Sequence, residues 1–177
     1  MRSRYSVREK ERAHFVTSTI VDWLPLFVLP SGRDILAQSL DFCRREKGLR
    51  LYAWVIMDNH FHAVVQCEEL ARVMADLKKF TAHRLLAQIE AEQRGWLLDL
   101  LAKAKAEHKH RSQFQVWQEG FHPQAIYSDT TMIQKIDYVH ANPVRRGWVA
   151  SPEHWRYSSA HEWLPGAEPV LRCDDWR

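Results

Sequence analysis

Cysteine is scarce in this chain. Cys43, Cys67 and Cys173 are three in 177 residues, an odd number with no C-x-x-C spacing. That argues against a disulfide scaffold or a thiolate zinc centre and fits a reducing, cytoplasmic setting. Long apolar runs are missing too. The most apolar stretch, residues 20–29, contains Asp22 and Pro25 and is too short and too broken to span a bilayer. The basic N-terminus has no apolar segment behind it, so no secretory signal is expected. Internal repeats and low-complexity segments are also absent from the sequence.

What is present suits one domain with a real core. Hydrophobic residues make up 46% and charged residues 27%, a globular rather than a disordered balance. The net charge of +3 is unevenly spread. Residues 150–177 hold three Arg against five acids, a charge of −2 that leaves +5 on residues 1–149. The cations come in runs: Arg2, Arg4, Arg8, Lys10 and Arg12; Arg44, Arg45, Lys47 and Arg50; Lys78, Lys79 and Arg84; Lys103, Lys105, Lys109 and Arg111; Arg145 and Arg146. Such runs suit a polyanion, or they are simply solvated faces.

The pattern predicts strands over 13–20, 49–57 and 60–66, the last two joined by the turn pair Asp58-Asn59. Helices are predicted over about 35–47, closed by Gly48, and over about 70–93, with a further helical piece over 96–109. A fourth, irregular strand is expected over 114–118 and 121–127. A last helix, capped by Ser128 or Asp129, is expected to stop against Pro143. This order suits an α+β fold: a ferredoxin-like (RRM-like) antiparallel sheet with helices packed on one face. The division expected is 1–149 as the main domain with a basic arm, and 150–177 as a Trp-rich tail.

Two elements carry chemistry. Residues two apart on a strand share a side, so His60 and His62 present their imidazoles together while Phe61 points away. Such a pair can converge on a divalent ion, although spacing alone does not choose the metal, and two hydrogen-bonded histidines near a strand end are the plainer alternative. On the last helix Met132, Ile136 and Val139 form a buried stripe, while Gln134, Tyr138 and Asn142 stack on a second face. A tyrosine ionises only near pH 10, so it needs a metal or a base beside it to act as a nucleophile. Otherwise Tyr138 is an ordinary amphipathic surface residue. Asn142, placed before Pro143, is either a metal ligand or a C-cap.

The residues Trp54-Val55-Ile56-Met57-Asp58-Asn59-His60-Phe61-His62, then Asp137-Tyr138-Val139-His140-Ala141-Asn142-Pro143-Val144-Arg145-Arg146-Gly147-Trp148-Val149, then Trp155-Arg156-Tyr157-Ser158-Ser159 resemble the REP-associated tyrosine transposases. These belong to the single-tyrosine HUH nucleases, and the resemblance runs from about residue 13 to about residue 163. It implies a ferredoxin-like catalytic domain acting on single-stranded DNA near a hairpin. Carried over by position, His60 and His62 match the metal pair, Tyr138 the nucleophile and Asn142 the third ligand. The implied ion is Mg²⁺ or Mn²⁺. The implied reaction is cleavage and rejoining of DNA through a 5′-phosphotyrosine, in a monomer or homodimer.

Arg2, Arg4, Arg8, Lys78, Lys79, Arg145 and Arg146 are the cations expected to meet DNA phosphates. Asp137 and His140 flank the nucleophile as candidate bases, each with a plain surface role as the alternative. Two other functions stand beside the enzyme. One is a domesticated hairpin-binding protein without catalysis. The other is a metal hydrolase of small phosphoesters, disfavoured because no carboxylate-rich cluster accompanies the histidines.

Overall fold

The computed structural model describes residues 9–110 and 112–177. Four strands form one sheet: β1 (His14–Thr19), β2 (Arg50–Ile56), β3 (His60–Gln66) and the short β4 (Gln124–Ala125). Their order is β2-β3-β1-β4 and every pairing is antiparallel. The helices are α1 (Pro30–Glu46), α2 (Leu70–Ala91), α3 (Gly95–Lys103) and α4 (Asp129–Arg145). With α1 linking β1 to β2 and α2 following β3, the arrangement is ferredoxin-like.

Strand alternation divides the core in two. Val16, Leu51, Trp54, Ile56, Phe61, Ala63 and Val65 join Leu36 and Leu40 of α1 and Met74 and Leu77 of α2. On the other face Phe15, Tyr52, Ala53, Val55 and Val64 pack with Met132 and Val139 of α4. A register shift between Leu51 and Ala53 lets the adjacent Tyr52 and Ala53 face the same cluster. The expected helical layer is thus α1 and α2, and α4 is a separate cover on the reverse face. Met132 and Val139 are its buried anchors, as the helical spacing predicts. Each contributes about 1.5–3 kcal/mol by leaving water.

Four boundaries differ from expectation. Helix α3 ends at Lys103, six residues short of the expected residue 109. Helix α1 starts at Pro30, five residues before the predicted Ile35, because proline's fixed φ suits the first helical position. The fourth strand shrinks to two residues. Gly120 (φ 78°) and His122 (φ 45°) break the extended backbone, and Trp117 keeps only an isolated bridge to Ile20.

Helix α4 does not stop at Pro143 but runs through it to Arg145. Proline removes one donor and normally strains the preceding turn. Here the Asn142 side-chain amide donates to the Tyr138 carbonyl at 2.7 Å. The helix closes later, where Gly147 adopts φ 71°, its N–H reaches Val144 O at 2.8 Å, and Trp148 N–H reaches Pro143 O at 3.0 Å.

The Trp-rich segment beyond residue 150 lies along β2. Ile56 N–H donates to Tyr157 O at 2.9 Å, and Trp54 Nε1 donates to Leu171 O at 3.1 Å. The Asp174 carboxylate accepts from Leu51 N–H at 2.8 Å and from Arg44 at 2.7 and 3.1 Å. Tyr157 and Leu171 belong to the same buried cluster as α1 and α2.

Candidate catalytic and metal site

The two-residue turn at Asp58-Asn59 is closed by Met57 N–H donating to His60 O at 2.9 Å. It delivers His60 and His62 to the α4 face of β3, while Phe61 packs on Trp117 in the opposite cluster. The two imidazole centroids are 4.8 Å apart, and both side chains are 6% exposed. The α4 helix lays Tyr138 over this pair. Its ring meets His62 edge-on at 5.5 Å and Phe15 edge-on at 5.6 Å. Phe15 in turn stacks on His62 at 5.3 Å. Tyr138 is 37% exposed, so the nucleophile candidate is half in solvent and the histidines are not.

Each histidine is oriented through its Nδ1. The Asn59 Nδ2 donates to Trp23 O at 3.1 Å, which turns its Oδ1 toward His60. His60 Nδ1–H donates to that oxygen at 2.6 Å, leaving the Nε2 lone pair for a ligand. His62 Nδ1 shares a hydrogen bond with Thr17 Oγ1 at 2.8 Å; when the hydroxyl accepts, the Nε2 lone pair is left for a ligand. Burial pushes both imidazoles below their ordinary pKa. For His62 the fall is to about 3, with burial first and His60 and Lys135 adding to it. For His60 burial also leads, partly opposed by Asp58 and assisted by Arg146. Both rings are neutral at pH 7, the form that binds a metal.

Among the described residues no three His, Cys, Asp or Glu side chains gather into a metal-binding group, so an ion on the histidine pair would need a donor of another type. Asn142 offers an amide oxygen of the right chemical type. Its Nδ2 is spent on the Tyr138 carbonyl, so its Oδ1 is the remaining donor, one helical turn beyond the nucleophile candidate.

The predicted cations divide. Arg145 lies over the Tyr138 ring, with its guanidinium carbon 4.9 Å from the centroid. Arg146 acts electrostatically on His60. Lys78 is already committed: its ammonium donates to Gln118 O at 2.6 Å and to Gly120 O, and burial lowers its pKa to about 8. Lys79 is exposed and lines a groove of about 1420 Å³ between α2 and residues 112–121. Arg2, Arg4 and Arg8 fall outside the described residues.

His140, flanking Tyr138 in sequence, is neither a surface residue nor a base beside the phenol. It is buried, with Nε2 at 2.7 Å from Ser159 Oγ and its ring edge-on to Trp163 at 4.6 Å. Burial lowers its pKa to about 4.

No family model matches the sequence. Individual relatives do. A REP-associated tyrosine transposase of Escherichia coli is 20% identical over 138 residues, 76% of this chain and 68% of the relative. A Haemophilus influenzae protein assigned to the same group is 26% identical over 124 residues, 68% of this chain and 62% of the relative. The chain is related to the REP-associated tyrosine transposases. A solved structure of such a transposase bound to a REP hairpin matches its fold with a TM-score of 0.69 at 19% identity, over 100% of this chain and 94% of the other.

For a relative of these transposases, the structure adds site residues that the motifs did not reveal. Thr17 pairs with His62 across the sheet, 45 residues away, and no local pattern signals that contact. Asn59 precedes His60, but its turn role hid the orienting one. Lys135 lies one turn before Tyr138, with its ammonium 4.6 Å from the Phe15 centroid, and helical spacing alone could have found it.

Proposed function

We propose that this chain cuts and rejoins single-stranded DNA at hairpin-forming repeats, with Tyr138 as the nucleophile. The observation that carries the reading is the meeting of Tyr138 with His62, at 5.5 Å between rings, above a buried, neutral, pre-oriented histidine pair. His62 and Tyr138 come together from elements 76 residues apart in sequence. The named activity of the relatives supports the same reading.

In this reading His60, His62 and the Asn142 amide oxygen hold a Mg²⁺ or Mn²⁺ ion. When bound, such an ion draws charge from the non-bridging oxygens of the scissile phosphate. The Tyr138 oxygen attacks phosphorus, the bond to the 3′ oxygen breaks, the phenol proton leaves to solvent, and the departing 3′ oxygen takes a proton from solvent. The products are a 5′-phosphotyrosine and a free 3′-OH. Attack by a second 3′-OH reverses the step and joins strands, because one phosphodiester is exchanged for another. Arg145, beside the Tyr138 ring, together with Arg146 and Lys135, supplies positive charge where phosphates approach. Asn59 and Thr17 fix the imidazoles so that little reorganisation accompanies ion binding. The partner is DNA with an unpaired strand beside a hairpin, met in the cytoplasm by a monomer or homodimer. Exposed Lys79 and the basic arm are further phosphate contacts.

The test is a denaturing gel of protein, Mn²⁺ or Mg²⁺ and end-labelled hairpin oligonucleotides drawn from repeats flanking the gene. A metal-dependent protein–DNA adduct that disappears in Tyr138→Phe, with hairpin binding retained, supports the enzyme. Hairpin binding with no adduct in either metal replaces it with the binding-only protein.

A further inference from the structure

Beside the histidine pair stands an exposed aromatic that the mechanism above leaves unused. Trp23 is 57% exposed, yet its ring meets buried His60 edge-on at 6.2 Å. Its backbone is left-handed at φ 56°, directly after Asp22 at φ 50°. Two consecutive non-glycine residues in that region are unusual, and for a bulky side chain the conformation is costly. Burial of the indole does not offset the cost, since most of the ring faces solvent.

The conformation is nonetheless held firmly. Trp23 N–H donates to Ile20 O at 3.1 Å, Leu24 N–H to Val21 O at 3.1 Å, and Asn59 Nδ2 to Trp23 O at 3.1 Å. Ile20 N–H donates to Asn59 O at 2.8 Å. The segment bearing the indole is therefore tied to the same asparagine that orients His60. Its position relative to the site is set by backbone bonds, and its face is left open.

We propose that Trp23 is a stacking platform for an unpaired nucleobase next to the scissile phosphate. This deepens the transposase reading and rests on it. The site must receive a single strand whose bases are unstacked, and an indole face accepts any of the four bases. Trp23 would thus fix the position of the strand through stacking, while base identity is read elsewhere.

The experiment uses the full chain carrying Tyr138→Phe, with and without Trp23→Ala or Trp23→Phe. The probes are the flanking-repeat hairpin oligonucleotides, with an abasic site or 2-aminopurine at each unpaired position near the hairpin foot. With Trp23 present, one position should show quenched 2-aminopurine fluorescence, and an abasic site there should weaken binding roughly 5- to 150-fold. In Trp23→Ala the same abasic site should cost nothing further and the quenching should be lost, whereas Trp23→Phe should keep part of both. Binding of Mn²⁺ should be unchanged in Trp23→Ala, because Asn59 contacts the backbone carbonyl and not the indole; this also checks that the site is still folded. Identical abasic and quenching profiles with and without the indole would overturn the stacking role and leave the transposase reading standing. Failure of the Trp23-containing protein to bind any hairpin would remove both.

Discussion

Asn59 offers a sharp test of how the histidine pair is prepared. Its amide works in both directions: Nδ2 donates to Trp23 O at 3.1 Å and Oδ1 accepts from His60 Nδ1–H at 2.6 Å. The carbonyl of Trp23 can only accept, so a flipped amide would lose that bond and force His60 into the tautomer protonated on Nε2. Asn59→Ala removes both bonds together. Two neutral hydrogen bonds contribute about 2 kcal/mol of stability between them. The larger consequence is for the ligand, because His60 becomes free to rotate or to move its proton to Nε2. Loss of such an orienting partner weakens metal binding by about 10- to 100-fold, or about 1.4–2.7 kcal/mol.

Asn59→Asp separates the two functions. It keeps an acceptor for His60, now charged and a stronger one, but loses the donor to Trp23. Stability should fall by about 1 kcal/mol while Mn²⁺ affinity holds or rises. Calorimetric Mn²⁺ titration at pH 7.5, where burial keeps both imidazoles neutral, should rank the aspartate variant at or above the native protein and the alanine variant well below it. Mn²⁺ binding as tight in Asn59→Ala as in the native protein would refute the claim that His60 is oriented by this amide.

Other consequences follow from the fold. Ala at Gly32 would set a Cβ 2.6 Å from Leu26 O, a backbone atom that cannot yield cheaply, so Gly32→Ala should lower stability by about 1–3 kcal/mol in urea denaturation. The Arg44 hydrogen bond leads the causes holding the Asp174 carboxyl below its ordinary pKa of 3.8. Its contribution is present above that value and lost as pH falls through the folded-state value. Asp174→Asn should therefore cost stability at pH 7, and the difference from the native protein should shrink at the acidic limit. Burial lowers His140 to about 4 from 6.5. Its stabilisation is complete above about pH 6.5 and is lost on the way down to about pH 4, a change of about 3 kcal/mol. A denaturation midpoint that stays flat between pH 7.5 and 4.5 would contradict that burial. Truncation after Ala160 should strip β2 of the Leu171 and Asp174 bonds and lower Tm; an unchanged Tm would show that this segment is dispensable for the fold.

What could be read from the sequence was local. The His-Phe-His alternation announces which imidazoles share a side, because a strand has period two. The stripe of Met132, Ile136 and Val139 announces the buried side of α4, because a helix has period 3.6. What could not be read is what those sides face. Nothing in the spacing places α4 on the sheet face opposite α1 and α2, and that placement is what sets Tyr138 over His62. Pro143 misled for a related reason. A proline inside a helix is normally a stop, but the Asn142 amide bonds the preceding turn and the Gly147 cap completes the end. Lys78 also read as a free cation, because a sequence does not reveal that Gln118 O and Gly120 O lie within its reach.

The placement of α4 also bears on how a ferredoxin-like sheet would carry the proposed chemistry. The face covered by α1 and α2 is closed with apolar side chains and supplies the cohesion. The reverse face is only partly closed by one helix, whose anchors Met132 and Val139 are buried while Tyr138 remains 37% exposed. Between them His60 and His62 are sealed from bulk water but open toward the tyrosine. Burial that keeps the imidazoles neutral and exposure that lets a polymer reach the phenol are opposite demands. They are met because the groups come from two elements, a central strand and a surface helix. In the proposed mechanism, the sequence separation of His62 and Tyr138 is what lets one be buried and the other exposed.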